Sequence, residues 1–104
     1  MPRLPQSKLA GIRKNGRAWV NSHVPKSLTI GSKRIDPRAK LRIHERVEHG
    51  LLKSKEEGGQ GLSYDQAHHI ALKREHKNMT LHQIAVYEGH NGAVARWHPE
   101  RKHH

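Results

Sequence analysis

The chain has 104 residues, 33% of them hydrophobic, with two Trp, two Tyr and no Phe; that is enough for one domain around one small core, and such a core gains from an added staple. There is no cysteine, which excludes disulfides and thiolate metal sites, so any metal must be held by His, Asp or Glu. The net charge of +11 belongs mostly to residues 1–43, where 11 Lys/Arg accompany the single acid Asp36; such a field favours nucleic acid or an acidic partner, or simply keeps the protein soluble.

Residues 1–16 carry Pro2, Pro5, Gly11 and Gly16 among Lys and Arg and read as a basic flexible arm. Residues 17–97 read as a single α+β domain, and residues 98–104 as a frayed tail. No apolar run approaches the roughly 20 residues of a membrane span, and the N-terminus lacks the apolar core of a signal peptide. A soluble cytoplasmic protein is expected.

Residues 17–21 (RAWVN) form a short strand candidate. Residues 27–30 (SLTI) and 33–35 (KRI) flank Gly31-Ser32, a two-residue hairpin turn. A small N-terminal antiparallel sheet follows from these. Asp36-Pro37 is a helix start, with an acceptor at the N-cap and proline at the first helical position. This first helix is expected to run to about residue 53, weakened at Gly50 by roughly 1 kcal/mol relative to alanine. Residues 55–61 (KEEGGQG) read as a flexible linker. Ser63 and Gln66 form a capping box, opening a second helix from Tyr64 to about residue 77. Thr80 and Gln83 repeat the box and open a shorter C-terminal helix, expected to stop near Gly89, with a turn at Asn91-Gly92.

On the first helix, at about 100° per residue, His44 and Glu48 fall inside the apolar stripe of Leu41, Val47, Leu51 and Leu52, while Glu45 and His49 lie at or beyond its edge. On the second helix the same projection, at about 100° per residue, groups His68 and Glu75 with Tyr64, Ala67 and Ala71 and leaves His69 and His76 outside. Small residues at 67 and 71 allow a close helix approach. A buried charge is costly unless paired or bound to a metal. A His and a Glu on each of two facing stripes therefore favour a metal site over the alternative, a buried hydrogen-bonded network. The candidate metal ligands are His44, Glu48, His68 and Glu75. His68 and Glu75 are about 10 Å apart along the helix axis, so both reach one ion only if their side chains converge; otherwise they serve two ions, as in bundle-type carboxylate sites. His and carboxylate donors suit Zn²⁺, with Fe²⁺ or Mn²⁺ as alternatives.

His44-Glu45-Arg46-Val47-Glu48 reads H-E-x-x-E, and is followed by a Gly-rich gap, Ser63-Tyr64, Ala67-His68, Ala71 and Glu75. Over about residues 18–77 the chain resembles a group of small, largely uncharacterised phage, bacterial and archaeal proteins. These carry H-E-x-x-E and then G-x-S-Y-x-x-A-H-x-x-A-x-x-x-E. Val24-Pro25-Lys26 is similar to their upstream Leu-Pro-Lys-like element. The resemblance implies a metal-binding, zincin-like element and a phage-type or cellular origin; it supplies no substrate.

If the site is hydrolytic, peptidase-like chemistry is expected, with Glu45 as general base, since the Glu after the first His activates water in H-E-x-x-H enzymes. Glu48 in place of the second His adds negative charge and weakens the metal as a Lewis acid. The competing reading of Glu45 is a solvated helix residue. The rival function is a basic nucleic-acid-associated or phage assembly protein whose His/Glu cluster only stabilises the fold. Lys8, Arg13, Lys14, Arg17, Lys26, Lys33, Arg34, Arg38, Lys40 and Arg42 would form its phosphate-binding surface. Trp19 lies among these and would either stack on a base or, as is more usual in so small a domain, join the core.

Overall fold

Leu9 and Ala10 are both buried. The computed structural model describes residues 9–53 and 55–98; the first eight residues and residues 99–104, most of the expected tail, lie outside the described residues. The expected arm therefore gives way before residue 16: β1 (Ala10–Ile12) pairs antiparallel with β2 (Ala18–Val20), Ala10 opposite Val20 and Ile12 opposite Ala18. The connecting turn closes with Gly16 N–H donating to the Arg13 carbonyl at 2.8 Å and Asn15 Oδ1 accepting from Arg17 N–H at 3.0 Å. Gly11 lies under the indole of Trp19, where an added Cβ would come within 2.5 Å of Nε1. Trp19 is only 6% exposed, so it belongs to the core and offers no face to a base.

The second hairpin forms where expected. β3 (Leu28–Ile30) pairs with β4 (Lys33–Ile35) around Gly31, whose φ of +63° is a conformation that glycine adopts without steric cost. The strands form two separate pairs.

α1 (Pro37–Leu52) starts with the Asp36 carboxylate accepting the Ala39 N–H at 3.0 Å and proline at the first helical position, and it passes through Gly50. The Gly-rich segment folds back on the end of α1: Gly61 N–H donates to the Lys53 carbonyl at 2.7 Å and Leu62 N–H to the Leu51 carbonyl at 3.0 Å. That closure delivers α2 (Tyr64–Glu75) alongside α1, its most extensive partner. The Ser63–Gln66 and Thr80–Gln83 capping boxes are both formed, satisfying helix N–H groups that have no intrahelical acceptor.

α3 (Leu81–Trp97) is one uninterrupted helix of 17 residues. The expected stop near Gly89 and turn at Asn91-Gly92 do not occur. Tyr87, Asn91, Val94 and Ala95 share one buried face, and their burial outweighs a helix cost of about 1 kcal/mol per glycine. Leu9, Ala10, Val20, Val24, Leu41, Val94 and Ala95 make one core cluster. Ile30, Ile35 and Tyr87 make a second, with Leu28 and Met79 against it. No helix among the described residues is long and apolar enough to cross a membrane.

Several of the basic residues are structural. Arg38 Nη1 donates to the carbonyls of Asn21 at 2.9 Å and Val24 at 3.0 Å, and Nη2 to that of Val20 at 3.4 Å, tying α1 to the end of β2. Lys40 and Lys33 donate to the carbonyls of Lys77 and Asn78, just beyond the C-terminus of α2. Arg38→Met keeps much of the stem but deprives three carbonyls of a charged donor. We expect it to cost about 2–3 kcal/mol in urea denaturation; an unchanged midpoint would mean that water replaces the guanidinium.

Candidate metal centre

His44 is 0% exposed, about one turn along α1 from the buried Leu41, and Ala67 and Ala71 of α2 have no side chains large enough to hold the helices apart. The buried face of α1 is rotated relative to the sequence expectation. Glu45, placed at the edge of the stripe by its helical angle, is only 7% exposed, whereas Leu52 is exposed. The reason is the packing of β1 and β2 against α1 in addition to α2, which covers a wider arc than one partner helix would.

Five side chains from three helices join in one chain of contacts. His68 Nδ1 lies 2.9 Å from Glu48 Oε2, and the same oxygen lies 3.2 Å from His44 Nε2. On the other side of the ring, His44 Nδ1 lies 2.7 Å from Glu75 Oε1, and the Tyr87 hydroxyl donates to Glu75 Oε2 at 2.5 Å. The rings of His44 and His68 meet edge to face with centroids 4.9 Å apart, and Tyr64 stacks on His68 at 5.5 Å. Packing thus fixes both imidazoles.

All four expected ligands are brought together, but into two groups. Donor atoms of His44, Glu48 and His68 lie within 4.8 Å of one another, close enough to share an ion. Glu75 meets the other nitrogen of His44. His68 and Glu75, two turns apart on α2, flank His44 from different sides. Tyr87 had no signal in the sequence, because nothing local connects a tyrosine on α3 with the end of α2.

The electrostatics follow from burial and pairing. Burial alone would push the His44 imidazole down; hydrogen bonds to Glu48 and Glu75 and the charges of Glu75 and Glu45 override it and carry the pKa up to about 10. For Glu48, burial pushes the carboxyl up, and the hydrogen bonds from His44 and His68 outweigh it and hold it below its usual range. Burial and then the Glu75 charge push the Tyr87 phenol well above its usual value, so Tyr87 stays a hydrogen-bond donor. With His44 protonated, both ring N–H groups donate to carboxylates. If His44 gives up one proton while Nδ1–H keeps donating to Glu75, its Nε2 lone pair points among Glu48 and His68. A carboxylate on one ring nitrogen and an open lone pair on the other is how proteins orient metal-binding histidines.

Comparison of the chain with protein-family models, with curated proteins and with solved structures finds no match.

Proposed function

We propose that this is a divalent-metal protein in which His44 Nε2, Glu48 and His68 hold one ion and Glu75 positions the His44 ring. The carrying observation is the division of the His44 ring between Glu75 on Nδ1 and Glu48 with His68 around Nε2. The donor set fits the ion. Two of its edges measure 3.2 and 2.9 Å, near the separation of about 3.3 Å between tetrahedral ligands at bond lengths of about 2.0–2.1 Å. Two imidazoles and one carboxylate suit Zn²⁺ ahead of Fe²⁺ or Mn²⁺, and three protein ligands leave a fourth position open, as catalytic zinc sites do.

We read the centre as hydrolytic and peptidase-like. A divalent ion in this position supplies Lewis acidity, polarising a substrate carbonyl. Glu45 is the residue to take a proton from water: it follows His44, is largely buried, and its negative charge already acts on the His44 ring. Tyr87 and Glu75 hold His44 still, and Tyr64 holds His68. The H-E-x-x-E likeness supports the same assignment.

The test is metal content of untagged protein purified without a metal-affinity step. His68→Ala is expected to hold one ion fewer than the wild type. Glu45→Gln is expected to keep its ions and its fold while losing hydrolysis of an unstructured polypeptide such as casein, by at least about a hundredfold for loss of a general base. Unchanged metal content in His68→Ala refutes the site.

One observation favours a second reading. The cluster already satisfies both nitrogens of His44 with carboxylates, so it is a complete network in its own right. Under that reading the cluster is structural, and the basic N-terminal part binds nucleic acid or an acidic partner. It requires metal-free protein that is fully stable and binds nucleic acid with a steep salt dependence that survives His68→Ala.

A further inference from the structure

We infer that Glu75, His76 and Glu88 form a second divalent-cation site, where the end of α2 meets α3. Donor atoms of these three residues lie within 4.8 Å of one another. His76, which its helical angle places off the apolar face, turns inward instead. Its ring meets that of Tyr87 edge to face at 6.0 Å, and its Nε2 is buried.

That nitrogen is the first sign of a ligand. It lies 3.4 Å from Glu88 Oε2, an attraction that pulls the Glu88 carboxyl down but is stretched for a hydrogen bond, and it has no better-formed hydrogen bond among the described residues. The 3.4 Å spacing is poor for a hydrogen bond but close to the roughly 3.3 Å edge expected between two ligands of one tetrahedral ion. The second sign is Asn91, about one turn beyond Glu88 on α3. It is 2% exposed and reaches the Tyr87 hydroxyl, which itself donates to Glu75, so a buried amide stands one hydroxyl away from that carboxylate. A buried imidazole nitrogen without a well-formed hydrogen bond beside a carboxylate pair marks a place where a polar species belongs.

The charges agree with the geometry. Glu75 and Glu88 repel one another, and burial followed by the Glu75 charge raises the Glu88 carboxyl. A cation between them removes that repulsion. Glu75 can serve while bonded to His44 and Tyr87, because each carboxylate oxygen offers two lone pairs. The Glu88 side chain is 42% exposed, which leaves an entrance and room for water to complete the coordination. One imidazole and two carboxylates suit Zn²⁺, Mn²⁺ or Fe²⁺.

This site uses donors separate from the His44–Glu48–His68 group and stands or falls on its own. The test is calorimetric titration of the chelator-stripped full chain with Zn²⁺, repeated with Co²⁺ followed by its visible absorption. His76→Ala/Glu88→Gln is expected to lose one equivalent relative to the wild type, with far-UV circular dichroism unchanged because His76 stands at the C-cap of α2 and the Glu88 side chain is exposed, so neither change interrupts a helix. The isosteric Glu88→Gln alone is expected to weaken the same equivalent at least tenfold. His68→Ala is expected to retain it. Equal stoichiometry and affinity in the wild type and the double variant overturn the inference, whereas loss in the double variant with none in His68→Ala upholds it and removes the first site instead.

Discussion

His44→Ala is expected to cost about 3–5 kcal/mol of stability, the range measured when one partner of a buried charge pair is removed. The side chain is fully buried and its two nitrogens contact Glu75 at 2.7 Å and Glu48 at 3.2 Å. Deleting it leaves two carboxylates beside a cavity, with only the Tyr87 hydroxyl and His68 to compensate. A domain of this size has about 5–15 kcal/mol in total, so the loss is a large share of its stability. Urea denaturation at pH 6 with a chelator present measures the effect. His44→Met combined with Glu75→Leu should recover much of the loss, because apolar replacement of a whole buried pair is often neutral. A loss below about 1 kcal/mol for His44→Ala would show that water reaches the carboxylates readily.

Zinc is expected to reverse the pH dependence of stability. In the metal-free protein, His44 has a pKa raised to about 10 against an ordinary value of 6.5. Its contribution is complete below pH 6.5, where the unfolded chain is protonated too, and is lost as pH rises from there through about 10. Glu48, held below 4.5, contributes in the opposite sense: its share is present above that value and is lost as pH falls through the folded-state pKa. Chelated protein should therefore be most stable between about 4.5 and 6.5 and lose stability towards pH 8. Ion binding needs His44 without its second proton, so affinity rises over the same interval. At a free zinc concentration a hundredfold above Kd the gain is about 2.7 kcal/mol. Thermal melts at pH 6 and pH 8, with zinc and with chelator, check this. A zinc-induced rise in Tm that is larger at pH 8 is the expected result. No rise at either pH, with His68→Ala behaving like the wild type, would leave the cluster as a proton-sharing network.

The helix starts were legible in the sequence because a cap is a local object. Asp36 with Ala39, Ser63 with Gln66 and Thr80 with Gln83 each complete their hydrogen bonds within three residues, whatever the rest of the chain does. The pairing of His44 with Glu48 was legible for the same reason, since a four-residue spacing on a helix places both side chains on one face. The Gly31 hairpin also depends only on its own backbone.

Tertiary packing decided the rest. β1 is three residues long and holds its place only because Leu9 and Ala10 are covered by residues from β2, α1 and α3. The continuity of α3 through Gly89 and Gly92 depends on the burial of Tyr87, Val94 and Ala95. Which nitrogen of His44 meets Glu75, and which meets Glu48, depends on how α1 and α2 cross, a contact between residues 31 positions apart. The Tyr87 bond to Glu75 and the meeting of His76 with Glu88 require α3 to fold back along the end of α2. The sequence by itself determined where the helices begin and that one face of α1 carries a histidine and a glutamate, because local hydrogen bonds and helical spacing suffice for both. Only the tertiary structure decided which donors share a centre, because that depends on the relative placement of three helices, and no local interaction encodes it.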